Sequence, residues 1–360
     1  MMSKQLNVQN VNTNLFLDYK KMLDEAWDKH LQPKDKKAPT IVSLFAGCGG
    51  SSLGYSIAGF KELLAVEWDN HAAKTFKLNF PEVNLYHGDI CTFSDENITN
   101  IIKPYELDIL DGSPPCQGFS TSGKRVMSDS RNQLFREFIR FLRILKPKTF
   151  VMENVSGMIK GKMKIIFGYI LKSLRESGYN VSARLMNTQY FNVPQKRQRM
   201  IFIGIRNDLN MKAVHPSAVS LPISVEVALK NCPQPKEKWD PEKIKSFTKK
   251  QKEVFDVLVK CKPGQKVSQF HPKKNYFSSF RIEKDTPART IIKTSHDRIF
   301  HFFENRYLTT QEVKRLGSFP DQFIIPDRPQ LTFERVGNSV PPLFMAEVGK
   351  HLKEILKRIE

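Results

Sequence analysis

Cys116 carries the first chemical signal in the 360-residue chain. It lies in Asp111-Gly112-Ser113-Pro114-Pro115-Cys116-Gln117-Gly118-Phe119-Ser120, just after the apolar run Leu107-Asp108-Ile109-Leu110. That run reads as a buried strand. Two prolines cannot extend a sheet ladder, so the strand stops and a stiff turn presents the thiol at its carboxyl end. In open α/β sheets that edge is where ligands bind. The usual fate of a lone free Cys is to be a small buried hydrophobe; the Pro-Pro-Cys-Gln context and the groups below set this one apart. Glu153 ends a second apolar strand, Thr149 to Met152, and begins Glu153-Asn154-Val155. An acid there can face the Cys116 strand, although a solvated loop glutamate would read the same in isolation. Gln195-Lys196-Arg197-Gln198-Arg199 precedes a further strand. Alternate residues share a face, so Arg197 and Arg199 are expected to point the same way. Such a pair suits phosphate or carbonyl oxygens and can lower the pKa of a nearby thiol. Two solvated surface arginines are the alternative.

A second set of residues describes a nucleoside pocket. Phe45-Ala46-Gly47-Cys48-Gly49-Gly50 lies between a strand and a helix. Glycines there let a ligand approach the backbone, and the helix N-terminus offers free N–H groups. Glu67 ends the next strand, 20 residues after Gly47, where an acid can accept hydrogen bonds from ribose hydroxyls. Asp89, after a third short strand, can hold an adenine amino group. The spacing is not Gly-x-Gly-x-x-Gly and no P-loop lysine is present, so an adenosine-bearing cofactor other than a dinucleotide or a nucleoside triphosphate is favoured.

The elements that must position these groups alternate strand and helix from Thr40. Apolar strands are expected at 41–46, 63–66, 149–152, 181–185 and 200–205, besides the one at Leu107. Helices are expected from the glycine turn to about Ala58, at 70–79, at 134–145 (ended by Pro147) and at 162–177. Such alternation predicts an α/β fold with a doubly wound, mostly parallel sheet. After Asp208 the pattern stops. Pro216, Pro222, Pro233, Pro235, Pro241, Pro263 and Pro272 break the chain into pieces in which lysines are interspersed with aromatics. This predicts a second, smaller, irregular basic domain. A short helix at 308–316, with Thr309 or Thr310 as N-cap before Glu312, follows. The last helix, 342–359, is amphipathic and expected to return to the first domain. The resulting division is 1–38 as a helical extension, 39–210 with 327–360 as a discontinuous catalytic and cofactor-binding domain, and 211–326 as the small domain. Leu15, Leu17, Met22, Leu23, Ala26, Trp27 and Leu31 mark one amphipathic helix in the extension, with imperfect spacing.

Composition bounds the partners. There are 57 Lys and Arg against 37 Asp and Glu, a formal charge of +20. From Arg206 to Arg298 stand 20 basic and 10 acidic residues, so half the excess lies in about a quarter of the chain. A polyanion, nucleic acid by default, is the expected partner. No apolar run reaches membrane-span length and no signal peptide is expected. Five cysteines, an odd number without ligand spacing, argue against a disulfide framework and against a zinc site; no metal is expected, and a reducing cytoplasm is the predicted setting.

With a thiol, an acid, paired arginines and an adenosine pocket on one sheet edge, the chain resembles the DNA (cytosine-5) methyltransferases of the bacterial modification type. The likeness runs from Ile41 to the C-terminus. Phe45 to Gly50 resembles the S-adenosylmethionine loop, and Glu67-Trp68 the ribose acid with its adenine-stacking aromatic. Gly88-Asp89-Ile90 resembles the adenine-edge motif. Pro114-Pro115-Cys116-Gln117 resembles the nucleophile motif, Glu153-Asn154-Val155 the acid motif, and Gln195 to Arg199 the arginine motif. Arg306-Tyr307-Leu308-Thr309 through Phe319-Pro320 resembles the motif that organises the recognition domain. Gly337-Asn338-Ser339-Val340-Pro341-Pro342 resembles the one that closes the cofactor pocket.

The resemblance implies S-adenosylmethionine as cofactor, held by Phe45, Ala46, Gly47, Gly49, Gly50, Glu67, Trp68, Asp89, Ile90, Pro115, Asn338 and Val340. It implies addition of Cys116 to C6 of a cytosine, which makes C5 nucleophilic. Glu153 would act at N3, Arg199 at O2, and Arg197 on the glutamate or a phosphate. The base must leave the stack to react. Residues 117–132, rich in Ser and Gly, would close over it, so Gln117, Ser120, Lys124 and Arg125, with Gln195, are the expected DNA contacts. Duplex DNA and a cognate restriction endonuclease are the implied partners, and a monomer the expected state. Two rivals stand beside this reading. An RNA cytosine methyltransferase would carry a Cys-Phe-Thr that this chain lacks. A non-catalytic binding module would have no need to retain Cys116, Glu153 and Arg199 together.

Overall fold

A computed structural model describes residues 18–103, 106–115, 133–159, 161, 163–233, 248–276, 279–296, 298–326 and 328–359. The first element, α1 (Tyr19–Leu31), is capped by Asp18, whose side chain accepts from the Lys21 amide. It buries Tyr19, Leu23 and Ala26. The expected helix began at Leu15, and that part lies outside the described residues.

The strands of the main sheet are β1 (Thr40–Leu44), β2 (Lys61–Glu67), β3 (Asn84–His87), β4 (Ile109–Gly112), β5 (Thr149–Val155), β6 (Tyr179–Asn187) and β8 (Gln198–Arg206). A short β7 (Gln195–Lys196) stands apart. The helices between them are α2 (Gly50–Ile57), α3 (Asn70–Asn79), α4 (Asp95–Ile102), α5 (Gln133–Leu145) and α6 (Met163–Glu176). The seven-stranded sheet has the order β3-β2-β1-β4-β5-β8-β6. Neighbours from β3 through to β5 are parallel. The exception is β8, antiparallel to both β5 and β6. Residues 188–197 join β6 to β8 without an α-helix, and a link that short returns the chain antiparallel, because a parallel crossover needs a longer, usually helical, connection.

Side chains alternate along each strand and so feed two core layers. Ile41, Ile109, Val151, Ile201 and Ile203 join Leu53, Tyr55 and the C-terminal helix on one face. Val42, Leu44, Leu110, Phe150 and Phe202 join Phe138, Phe141 and Leu142 of α5 on the other. Phe138 is fully buried; truncating such a side chain to Ala costs about 3–5 kcal/mol.

Beyond β8 the elements shorten. They are α7 (Val225–Leu229), α8 (Lys249–Lys260), β9 (Phe280–Arg281), β10 (Ala288–Arg289), β11 (Ile299–Phe300) and α9 (Thr310–Leu316). A separate small core of Val254, Phe255, Leu258, Val267, Phe300 and Tyr307 forms here. β9 pairs with β11, while β10 pairs with β7 of the preceding region. Thr309 and Glu312 form a capping box that starts α9. The chain ends in α10 (Pro329–Asn338) and α11 (Pro342–Leu356). α11 lies so close to α2 that a Cβ on Gly54 would stand 2.5 Å from Met345 Cβ. No helix among the described residues is long and apolar enough to cross a membrane.

Candidate active site

The chain leaves β1 toward β2 and β3 on one side, then returns to β4 and β5 on the other. The sheet edge between β1 and β4 is therefore the switch point, where an open α/β sheet forms its crevice. A cavity of about 590 Å³ opens there, within the size range of small-molecule sites.

The glycine loop forms one wall. Phe45 has φ of 56°, an uncommon conformation for a bulky residue and a form of strain found at functional sites. Phe45, Ala46, Gly47 and Gly50 line the cavity. At Gly47 a Cβ would meet nothing within 4 Å, so backbone faces open space. Gly49 lies just behind; its φ is +94°, and a Cβ there would sit 2.3 Å from the Phe80 ring. At Gly50 a Cβ would sit 2.5 Å from the Val340 carbonyl. These contacts require glycine at both places.

Glu67 is held by three backbone N–H groups. Gly47 N donates to Oε2 at 2.7 Å, and Trp68 N and Asp69 N donate to Oε1 at 3.0 and 2.8 Å. The carboxylate keeps lone pairs free for further donors. Trp68 is 74% exposed, an apolar ring left on the cavity wall. Asp89 caps the turn Ile90–Thr92 by accepting from Cys91 N at 3.0 Å; Asp89 and Ile90 line the third side. Pro115, Asn338 and Val340 complete the lining.

The same cavity contains residues that sequence reasoning gave no role. Arg335 donates from Nη1 to Asp69 Oδ1 at 2.8 Å, tying α10 to the start of α3. Cys48 is buried with its Sγ 3.1 Å from Ser339 Oγ, and burial pushes its thiol up to about 11. Arg335 precedes Asn338 by three residues on one helix, so helical spacing could have placed both on one face. Cys48 had no such signal. Below the loop, Tyr55 Oη donates to Asp111 Oδ1 at 3.1 Å, and Ser52 Oγ donates to Glu62 at 2.9 Å. Burial raises the Asp111 carboxyl to about 8 and that of Glu62 to about 7.

Cys116 and the loop residues Gln117, Ser120, Lys124 and Arg125 lie outside the described residues. The turn that leads to Cys116 is described. Asn154 of β5 donates from Nδ2 to the Pro114 carbonyl at 3.0 Å. Glu153 lies within β5 rather than after it, because the strand continues to Val155. Arg199 of β8 donates from Nε to Glu153 Oε1 at 2.7 Å, with both side chains largely buried. In the register, Val155 stands opposite Arg199 and Glu153 opposite Ile201, so the pair meets on the diagonal of an antiparallel ladder.

Two expectations need correction. Gln195 is 2% exposed. Its amide donates to Leu316 O and accepts from Ile291 N, so it ties distant segments together and has no free edge for DNA. Arg197 is 1% exposed and donates to the carbonyls of Ile291 and Gly337. β7 ends at Lys196 and β8 starts at Gln198, so the strand alternation that paired Arg197 with Arg199 is interrupted between them. Burial, with the nearby Arg199 charge, lowers the Arg197 guanidinium to about 9. Its Nη1 and Nη2 bonds go to main-chain oxygens, so it is a buried strut and not the exposed phosphate contact expected of it; of the two expected roles, support of the glutamate is the one its position allows, since the Glu153 charge acts on it.

A doubly wound sheet with a glycine loop, a ribose-type acid and an aspartate around one switch-point cavity is the arrangement of an S-adenosylmethionine-dependent methyltransferase. Residues 39–354 match the C-5 cytosine-specific DNA methylases, and the chain belongs to that family. It is 32% identical to the type II methyltransferase M1.HphI of Haemophilus parahaemolyticus, over 86% of each chain. It is 31% identical to M.Sau96I of Staphylococcus aureus, over 95% of this chain and 81% of that one. Among solved structures, an E. coli prophage-encoded protein described as a DNA modification methyltransferase superposes with a TM-score of 0.73 at 25% identity, over 89% of this chain and 100% of that one. The Spodoptera frugiperda DNMT2 structure, at 20% identity and a TM-score of 0.62 over 89% and 99%, shares the fold.

Proposed function

We propose that this DNA cytosine-5 methyltransferase modifies a flipped-out cytosine within one specific duplex sequence through a covalent Cys116–C6 adduct. The observation that carries this reading is the buried Arg199–Glu153 pair on β8 and β5, beside the Asn154-anchored turn that leads to Cys116.

The cavity residues fit the cofactor. Glu67 offers a fixed carboxylate to ribose hydroxyls, Trp68 a ring face to adenine, and Asp89 an acceptor to the adenine amino group. The open backbone at Gly47 admits the rest of the molecule. When bound, S-adenosylmethionine supplies an electrophilic methyl group. The protein's own part is to make cytosine C5 nucleophilic. The Cys116 thiolate adds to C6, forming a C–S bond as the C5–C6 double bond opens. Glu153 takes up a proton from solvent as the base enters and donates it to N3, which takes up the developing negative charge, while Arg199 holds the other carboxyl oxygen and reaches base O2. Once C5 carries the methyl group as a fourth substituent, beside its hydrogen, that proton is lost to a base. The electron pair restores the double bond and expels Cys116 as thiolate.

In this reading residues 39–210 and 327–360 form the catalytic unit and 211–326 the basic recognition unit that places DNA in the cleft. Gln117, Ser120, Lys124 and Arg125 belong to the loop that covers the extruded base. A cognate restriction endonuclease, a cytoplasmic setting and a monomeric enzyme complete the proposal. The match to the C-5 cytosine-specific DNA methylases and the likeness to a DNA modification methyltransferase support it over an RNA substrate.

The test is labelled methyl transfer to mixed-sequence duplex DNA and to tRNA, with nucleoside analysis, for wild type and Cys116→Ser. Formation of 5-methylcytosine in DNA by wild type alone supports the proposal. Labelling of tRNA only overturns the substrate, and unchanged transfer by Cys116→Ser overturns the nucleophile.

A further inference from the structure

The family match begins at residue 39, after α1, yet α1 is packed into the wall behind the cofactor loop. Tyr19 of α1 is buried and donates to the Asn192 carbonyl at 3.2 Å. Trp27 meets the edge of Phe323 at a ring separation of 6.4 Å. The decisive residue is His30. Its Nδ1 lies 2.9 Å from Ser56 Oγ on α2, and its Nε2 lies 3.1 Å from the Asn79 carbonyl at the end of α3. Since a carbonyl only accepts, Nε2 carries the proton. Burial lowers the His30 pKa, which favours the neutral ring, and the Ser56 hydroxyl then donates to Nδ1, its closer partner, with the His30 carbonyl 3.4 Å away as a second, weaker acceptor.

These two contacts join the far ends of two helices whose near ends border the cavity. α2 starts at Gly50 of the glycine loop, and α3 is capped by Asp69 next to Trp68. The His30 ring also packs edge-on against Phe80 at 5.1 Å. Phe80 in turn lies where a Cβ on Gly49 would stand, 2.3 Å away. A continuous line of contact therefore runs from His30 through Phe80 to the loop.

We infer that α1 is a positioning element for the cofactor loop, and that His30 is a positioning residue that sets the spacing of α2 and α3, and so of the Gly49–Gly50 and Trp68–Asp69 ends from which those helices start. The inference rests on the cavity being the cofactor site. A tied loop binds with less ordering cost than a free one. The expected effect thus falls on cofactor affinity, with the chemical step spared.

The experiment uses the full chain and S-adenosylhomocysteine as the calorimetric probe. His30→Ala, which removes both contacts, should raise its Kd by at least about 2- to 10-fold, the range that the net worth of a single buried hydrogen bond gives. KM for S-adenosylmethionine should rise in step, with kcat at saturation and KM for DNA within about twofold of wild type. His30→Gln, which keeps a donor toward Asn79, should recover part of the affinity. Ser56→Ala, a milder change, should move Kd in the same direction and serves if His30→Ala fails to fold. Trp68→Ala is the control for the site itself. If Trp68→Ala weakens binding while His30→Ala and Ser56→Ala leave Kd unchanged, the positioning role is wrong. If Trp68→Ala also leaves Kd unchanged, the cofactor-site reading is what has failed. A fall in kcat and thermal midpoint at unaltered Kd would make α1 a stabilising element only, which also overturns the inference.

Discussion

Arg199 and Glu153 face each other across the β5–β8 ladder at 2.7 Å, on the sheet edge where β4 ends in the Pro114–Pro115 turn. A largely buried ion pair is costly to break from one side, because the partner is left charged and unpaired. The geometry therefore presents Glu153 in a fixed direction. Glu153→Gln should lower methyl transfer by about 10²- to 10⁴-fold, the range general acid–base groups contribute. Arg199→Lys should fall short of wild type as well, because a point charge does not reproduce the planar fork. The double variant should lose far less than the product of the two single losses. Single-turnover transfer rates for the three variants measure this; multiplicative losses would show that the pair does not act as a unit.

Glu67 accepts three backbone N–H groups, so an amide in its place would turn a donor toward one of them. Glu67→Gln is expected to weaken S-adenosylhomocysteine binding by at least about tenfold and to cost about 1–3 kcal/mol of stability, the penalty of an unsatisfied donor. Calorimetry and denaturant titration check the two parts separately. Wild-type affinity in this variant would remove Glu67 from the cofactor site.

The buried carboxyl of Asp111 binds its proton more tightly in the folded chain, with its value moved from 3.8 up to about 8. A raised carboxyl contributes stability at low pH that is lost as pH climbs through that interval. Glu62 adds a similar loss between 4.5 and about 7. The thermal midpoint should therefore decline from mildly acidic pH toward pH 8. Asp111→Asn keeps an acceptor for Tyr55 and should flatten the slope, leaving the share due to Glu62. Parallel slopes for variant and wild type would mean that Asp111 does not titrate in this range.

Helix α8 turns Val254, Phe255 and Leu258 inward and leaves Lys249, Lys252 and Lys260 exposed. If this face meets DNA phosphates, the logarithm of affinity should fall steeply with the logarithm of salt concentration. Replacing all three lysines by Gln should reduce that slope by up to about 0.9 per lost phosphate contact. Equal slopes would move the phosphate contacts elsewhere.

The sequence by itself determined the class of fold, the family and the cofactor. Apolar runs of strand length, a Pro-Pro stop and a glycine turn after a strand are local signals, each set by backbone chemistry within a few residues. What tertiary structure decided was where long-range partners lie. β8 reads as one more strand in the series, yet it runs antiparallel, since the direction depends on the link before it. Gln195 and Arg197 look exposed in a polar, basic stretch. They are buried because carbonyls and amides from Ile291, Leu316 and Gly337, 94 to 140 residues on, arrive to satisfy them. His30 follows the same logic, with its partners on two other helices. A polar side chain carries no local mark of burial; only the fold supplies the hydrogen bonds that make burial affordable in free energy.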